Sequence, residues 1–166
     1  MTLGELNGLS AEAARDELIK CCQSTSWADQ MVKKRPFANE DELYSAATDA
    51  WFSNTRIDWQ EAFGHDSKIG EDNTLEGKFA EEIQPSGEQP DGSTSKAQTL
   101  EKLSLLNQKY EKRFGYRFVV YTSAKSVEEI LEIIELRLKN NPYDEIKIAA
   151  SEKNRITKFR LKKLLS

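Results

Sequence analysis

The chain has 166 residues, with 24 Lys and Arg against 28 Asp and Glu, one His and two Cys. A formal net charge of -4 leaves no excess of positive charge for a phosphate backbone, so we expect no nucleic-acid binding. No run of about 18 apolar residues occurs, so the sequence predicts no membrane-spanning segment. This length fits one domain, and we predict a single domain over residues 1–166.

The two cysteines, Cys21 and Cys22, are sequence neighbours and are badly placed for a disulfide with each other. Together with an N-terminus that lacks a basic segment followed by an apolar stretch, they favour a reducing compartment, and we expect a cytoplasmic location. One His and two Cys are too few ligands for a zinc site built from these residue types. We therefore predict no metal site.

Helical patterns dominate the first third of the chain. Ser10 is a predicted N-cap that opens a first long helix, and the amphipathic pattern continues through Met31 until Pro36 stops it. Asn39 then opens a helix that runs through Trp51. Both segments carry apolar residues at helical spacing, so we expect them to bury one face each.

The central part alternates between helices and a polar loop. A short helix ending near Phe63 delivers His65 at its C-terminal end. Residues 84–98 are rich in Pro, Gly and Ser and predict a loop. From Leu100 the apolar spacing predicts a second long helix, with Gly115 as its C-terminal glycine.

The last 50 residues predict one extended segment between helices. Residues 116–122 are dense in aromatic and β-branched side chains, Ser126 caps the next helix, and Pro142 opens the last one. The predicted apolar stripe of that last helix comprises Ile146, Ala149, Ala150, Ile156, Phe159 and Leu164. The fold class is therefore predicted as all-α, a compact multi-helix bundle with one short extended segment.

Few residues offer chemistry on their own. His65 is the one side chain whose ordinary pKa lies near pH 7, yet a single histidine at a helix end is more often structural than catalytic. Glu88 and Gln89 lie in the polar loop, where solvated side chains are the simpler interpretation. Arg160 stands between apolar residues and is compatible with a surface position. The rest of the sequence must decide between the structural and the functional interpretation of each residue.

Five segments, taken together, resemble one family. They are SWADQM at 26–31, RPF at 35–37, DWQEAFGHDSKIG at 58–70, LNQKYEKRFGYRFVV at 106–120 and IAASEKNRITKFRLKKLL at 148–165. In their order and spacing they look like the decarboxylases of 2-oxo-4-hydroxy-4-carboxy-5-ureidoimidazoline, or OHCU. The resemblance spans nearly the whole chain.

The resemblance implies cofactor-free, stereoselective decarboxylation of OHCU to (S)-allantoin by an all-helical enzyme that forms a homodimer. Its catalytic residues correspond here to His65, Glu88 and Arg160. The substrate-binding residues that it implies are Asp66, Pro85, Ser86, Gln89, Phe118, Val119, Val120, Tyr121 and Thr122. In the 118–122 segment, backbone groups are expected to be free to bind a flat polar heterocycle.

The histidine motif leaves two registers open. The family pattern is His-Pro-x-Ile-Gly, and counting back from Gly70 without a gap places its His on Asp66 rather than on His65. Either a one-residue shift lets His65 fill the role, or the histidine has become Asp66 and the activity is reduced or changed. Pro85 likewise replaces the serine of the family's Ser-x-x-Glu-Gln loop, with Ser86 one place later.

Two alternatives to this activity follow from the sequence. A helical protein-interaction module would leave the three catalytic candidates scattered and present a broad apolar groove. A family member with altered substrate or reduced activity is the second alternative, because of Asp66 and Pro85. An enzyme would instead bring the candidates together in one pocket.

Overall fold

The computed structural model describes residues 1–64 and 92–166, and in the first turn of one helix, at 92–96, it describes the backbone only. Within these ranges the chain forms helices and no strand, which confirms the predicted all-α class. The eight described helices are α1 (Leu3–Gly8), α2 (Ala11–Ile19), α3 (Thr25–Lys34), α4 (Glu40–Phe52), α5 (Arg56–Gly64), α6 (Gly92–Phe114), α7 (Val127–Arg137) and α8 (Pro142–Leu164).

The described residues fall into two compact units. Unit 1 comprises residues 1–64 and 146–166, and unit 2 comprises residues 92–145. The prediction that residues 1–166 form a single domain stays a prediction.

Unit 1 is built around two tryptophans. α3 packs against both α2 and α4. Trp27 is fully buried and donates its indole N–H to the Ala47 carbonyl at 3.0 Å, and Trp51 donates to the Ala150 carbonyl at 2.8 Å. Each indole therefore buries a large apolar surface while its N–H is satisfied, the combination that buried Trp requires.

Unit 2 has a mixed aliphatic and aromatic core. α6 packs against α7, with Leu103 and Ile130 fully buried. The Tyr110 ring lies 5.2 Å from the Phe118 ring, centroid to centroid, in an edge-to-face arrangement, and 5.9 Å from the Tyr116 ring. Such arrangements add to the area that the rings bury. The segment between α6 and α7 is thereby packed onto α6.

Helix ends follow the local sequence signals. The side chains of Ser10, Asn39 and Ser126 each accept a hydrogen bond from a backbone N–H of the first turn, which confirms all three predicted N-caps. Gly115 directly follows α6 with φ of 85°, a conformation that glycine adopts without steric cost. Pro142 is the first residue of α8, as predicted.

Two predicted boundaries are wrong. The helix expected to run from Ser10 to Pro36 is interrupted after Ile19, and Ser24 caps a new helix by accepting from the N–H of Trp27. The loop was predicted over residues 84–98, but residues 92–98 belong to α6, which begins at Gly92; residues 84–91 lie outside the described residues. Extending an established helix adds one hydrogen bond for each residue fixed, so a weakly helical sequence joins a long stable neighbour readily. In addition, α1 was not predicted.

The buried face of α8 also differs from the predicted stripe. Phe159 is 37% exposed, whereas Lys153 and Thr157 are buried. These two polar residues lie between Ala149 and Leu161 at helical spacing, so they occupy positions at which an apolar pattern places hydrophobic side chains. The α8 face in unit 1 is thus partly polar.

Candidate functional site

Six of the predicted site residues lie outside the described residues: His65, Asp66, Pro85, Ser86, Glu88 and Gln89. The helix α5 ends at Gly64, directly before His65. The remaining predicted residues are Arg160, in unit 1, and the 118–122 segment, in unit 2. Each is described within its own unit.

Arg160 is held by a glutamine from the break between α2 and α3. Its Nη1 donates to Gln23 Oε1 at 3.3 Å, and Gln23 Nε2 donates to the Lys20 carbonyl at 3.2 Å. The second bond determines which end of the Gln23 amide faces Arg160, because only the nitrogen end can donate to a carbonyl. Arg160 is half-buried.

A buried lysine shares the same acceptor. Lys153 is fully buried, and its Nζ donates to Gln23 Oε1 at 2.8 Å. Lysine is seldom fully buried unless it is paired. Gln23 therefore brings two cationic side chains of α8 together on one amide oxygen. Sequence reasoning missed both Lys153 and Gln23. Lys153 could have been noticed because it is a lysine at a position where the spacing of α8 places apolar residues.

The thiol of Cys21 lies in the same neighbourhood. Burial raises the pKa of Cys21 to about 11, and the nearby Arg160 guanidinium offsets part of that rise. The thiol is therefore protonated at neutral pH. Cys22 is also buried, and neither cysteine forms a disulfide. A buried, protonated thiol packs as a small hydrophobic side chain and is a poor nucleophile.

Two cationic side chains donate hydrogen bonds to the backbone of the 118–122 segment. Phe118, Val119 and Val120 are buried. The Val119 carbonyl accepts from Arg137 Nη1 at 2.6 Å, and the Tyr121 carbonyl accepts from Lys125 Nζ at 2.8 Å. The expectation that the backbone groups of this segment are free is therefore wrong at these two oxygens.

Arg137 belongs to a buried polar network in unit 2. Its Nε and Nη2 donate to Oε2 of Glu145 at 2.8 and 2.6 Å, and the Tyr110 hydroxyl also donates to that carboxylate. Glu145 is fully buried, and its Oε1 accepts from Asn140 Nδ2 at 3.1 Å. The Arg137 Cζ stands 4.5 Å from the Phe118 ring centroid. The carboxylate is thus both paired and hydrogen-bonded, which a buried charge requires.

Burial raises the pKa of Tyr110 well above its ordinary value, and the hydrogen bond to Glu145 acts in the same direction, while Arg137 opposes both. The phenol therefore stays neutral and acts as a donor to the carboxylate. This network ties the end of α7 and the start of α8 to the 118–122 segment. Sequence reasoning missed it, because Arg137 and Glu145 face each other only in the folded chain.

Between them, residues 1–64 and 92–166 hold no group of three His, Cys, Asp or Glu side chains placed to bind a metal ion. None of the helices in these ranges is long and apolar enough to cross a membrane. An open surface cavity of about 560 Å³ is lined by residues of α3 and α5, including Asp29, Gln30, Asp58 and Glu61, and it contains none of the predicted site residues.

Comparison with known proteins identifies the family to which this chain belongs. Residues 7–162 match the model of the family described as OHCU decarboxylase. A crystal structure of OHCU decarboxylase in the presence of (S)-allantoin has a TM-score of 0.76 at 30% identity, over 90% of this chain and 97% of that chain. The chain belongs to the OHCU decarboxylase family, which confirms the resemblance found in the sequence.

Two curated relatives differ in length. The "Uric acid degradation bifunctional protein TTL" of Arabidopsis thaliana is 32% identical over 95% of this chain, but the match covers only 49% of that protein. The 2-oxo-4-hydroxy-4-carboxy-5-ureidoimidazoline decarboxylase of Haloferax volcanii is 26% identical over 97% of this chain and 94% of its own length. The chain thus spans about half of the first relative and nearly all of the second.

Proposed function

We propose that this chain decarboxylates OHCU to (S)-allantoin in uric acid degradation, without a cofactor. The observation that carries the proposal is the match to the OHCU decarboxylase model over residues 7–162, together with the similar structure obtained in the presence of (S)-allantoin. Both span most of the chain rather than one motif. The match to the bifunctional protein of Arabidopsis thaliana covers 49% of that protein, so the proposal is limited to the decarboxylase activity.

The chemistry requires an electron sink and a proton donor. When the bond to the carboxylate carbon breaks, CO₂ leaves, and the electron pair is delocalised into the conjugated imine and carbonyl of OHCU. A proton is then added to the ring carbon that carries the ureido group, from one face, which sets the (S) configuration. The hydroxyl on the carbon that lost CO₂ gives up its proton and becomes a carbonyl of allantoin. Because the substrate supplies its own electron sink, no pyridoxal, thiamine or metal is needed.

We assign the proton donor to His65, or to the Asp66 position if the ungapped register holds, and we assign to Glu88 the orientation of the donor or of the ureido group. Arg160 pairs with an anionic oxygen of the substrate. Its planar guanidinium suits a two-pronged hydrogen bond, and Gln23 already holds one of its nitrogens in place.

Arg160→Lys is expected to lower kcat/KM by about 10-fold or more, since a hydrogen bond to a charged group contributes about 1.5–3 kcal/mol. Lysine keeps the positive charge but cannot form the two-pronged hydrogen bond of a planar guanidinium. The matched control is Arg155→Lys, an exposed arginine of the same helix, which should leave kcat/KM unchanged. Wild-type kinetics from folded Arg160→Lys would remove Arg160 from the site.

The activity itself is tested with freshly generated OHCU and purified protein, followed by circular dichroism of the allantoin formed. We expect (S)-allantoin to form faster than in a protein-free control, and the rate to be unaffected by EDTA. Racemic allantoin at the spontaneous rate would refute the proposed function. A loss of rate with EDTA that one metal restores would refute the cofactor-free mechanism.

Asp66 and Pro85 favour a second candidate, a family member with altered substrate or reduced rate. A stereoselective but slow product signal in the same assay would support reduced activity. Binding of OHCU without turnover would support an altered substrate.

We also propose a homodimer in the cytoplasm. Cys21 and Cys22 are buried and form no disulfide, which supports a reducing compartment. The homodimer is supported by the family resemblance alone, and sedimentation of the purified protein tests it.

A further inference from the structure

One backbone amide in the described part of unit 2 lacks a hydrogen-bond partner. Val120 is 5% exposed, and among the described residues no hydrogen bond is formed by its backbone N–H. The carbonyl of the preceding residue, Val119, is by contrast paired, since it accepts from Arg137 Nη1 at 2.6 Å. Backbone N–H groups of buried residues are nearly always paired, so the N–H of Val120 calls for an explanation.

The direction of the Arg137 guanidinium is fixed by Glu145. Arg137 Nε and Nη2 donate to Glu145 Oε2 at 2.8 and 2.6 Å, and Glu145 is fully buried. Because the guanidinium is planar and rigid, these two bonds also fix the direction in which its third nitrogen, Nη1, points. The bond from Nη1 to the Val119 carbonyl is therefore held by an ion pair on its far side.

Arg137 acts on Val120 through one peptide unit. The peptide bond between Val119 and Val120 is trans. In a planar trans peptide the C=O and the following N–H point in opposite directions, so the Val120 N–H points away from Arg137. Donation by a cation to the carbonyl also polarises the peptide, which makes the N–H a stronger donor. Arg137 thus determines both the direction and the strength of this donor.

Val120 lies where its segment leaves the core of unit 2. Phe118 and Val119 are buried like Val120, whereas Tyr121 and Thr122 are half-buried. The unpaired N–H is therefore at the margin of the core rather than deep within it. A single N–H donor in this place suits a ligand that presents an acceptor oxygen.

We propose that Arg137 is a positioning residue for the substrate: through the Val119 carbonyl it orients the Val120 N–H, which donates to a carbonyl oxygen of OHCU. The inference rests on the proposed function. OHCU carries carbonyl oxygens on its ring and on its ureido group, and allantoin keeps both. The contact is therefore made with substrate and product alike.

The test uses the double variant Arg137→Met with Glu145→Leu, which leaves no buried charge unpaired but removes the donor to the Val119 carbonyl. KM for OHCU should rise about 3-fold to 10-fold, the effect of one weakened hydrogen bond. The change in kcat should be smaller, because the contact is present before and after CO₂ leaves. A purely structural role of Arg137 predicts wild-type KM in this folded variant, and that result would overturn the inference.

The matched control is Tyr110→Phe. This change removes the Tyr110 hydroxyl, which donates to Glu145 in the same buried network, but it keeps the aromatic ring and the bond from Arg137 to Val119. The control should lose stability in a thermal melt and keep the wild-type KM. An equal rise of KM in Tyr110→Phe would show that the network as a whole, and not the Arg137 bond, supports binding, and would overturn the inference.

An NMR titration observes the Val120 N–H directly and needs no variant to fold. The chain has four valines, Val32, Val119, Val120 and Val127, so isotope labelling of valine alone gives four backbone amide signals. The probe is (S)-allantoin, in whose presence the similar crystal structure was obtained. The Val120 amide proton should move downfield, by more than those of Val32 and Val127, and should move less in the double variant.

The two readouts separate failure of the inference from failure of the proposed function. An unmoved Val120 signal in a wild type that turns over OHCU overturns the role of Arg137 and leaves the proposed function intact. A wild type that gives only the spontaneous rate with OHCU refutes the proposed function, and with it the inference that rests on it.

Discussion

His65→Asn is expected to lower kcat for OHCU decarboxylation by about 10²–10⁴-fold, the range that general acid catalysis contributes. His65 is the one histidine of the chain and stands next to the family's motif position. Asparagine retains hydrogen-bonding capacity but cannot deliver a proton near pH 7. The measurement is kcat from the rate of (S)-allantoin formation, with a thermal melt to show that the variant folds.

The paired variant Asp66→His tests the register. If the ungapped alignment is right, this change places a histidine at the catalytic position and activity rises well above that of the wild type. If His65 already fills the role, Asp66→His brings no gain. Unchanged turnover in folded His65→Asn would remove His65 from the mechanism.

Arg137→Met is expected to lower the free energy of unfolding by about 3–5 kcal/mol, the usual cost of removing one partner of a buried ion pair. The reason is that Glu145 is fully buried and receives two of its hydrogen bonds from Arg137. The Val119 carbonyl loses its donor as well. Urea unfolding of the variant and the wild type gives the difference directly.

An exposed ion pair provides the comparison. Lys102 Nζ lies 3.0 Å from Glu135 Oε1, with both side chains substantially exposed, so Lys102→Met should cost only about 0–1 kcal/mol. The double variant Arg137→Met with Glu145→Leu should recover much of the lost stability, because no charge is then left unpaired. Equal stability of Arg137→Met and Lys102→Met would contradict the role of the buried network.

The sequence by itself determined the features that depend on near neighbours. Ser10, Asn39 and Ser126 were predicted as N-caps because a capping side chain bonds to an N–H only two or three residues ahead. Gly115 was predicted as a helix end because its left-handed conformation is a local property. Family membership could also be predicted, since it depends on the order of residues along the chain.

Local sequence patterns predicted two helix boundaries wrongly. The amphipathic pattern between Ser10 and Pro36 continues across residues 20–24, so it gave no warning that the helix ends at Ile19. Gly92, Ser93 and Ser95 are weak helix formers, yet they lie in the first turn of α6. Intrinsic propensity is a weak preference that the tertiary context overrides.

Only the tertiary structure decided which polar side chains meet. Gln23 and Lys153 are 130 residues apart, and Arg137 and Glu145 lie at the two ends of a turn between helices. Their contacts depend on which helix faces are buried together, and helical spacing alone does not state this. Burial of Lys153 and Thr157 on α8 followed from that packing, and so did the two cations on one amide oxygen. A buried charge is stable only beside its partner, and in both clusters that partner comes from another element of the chain. Neither cluster can therefore be identified until the fold is known.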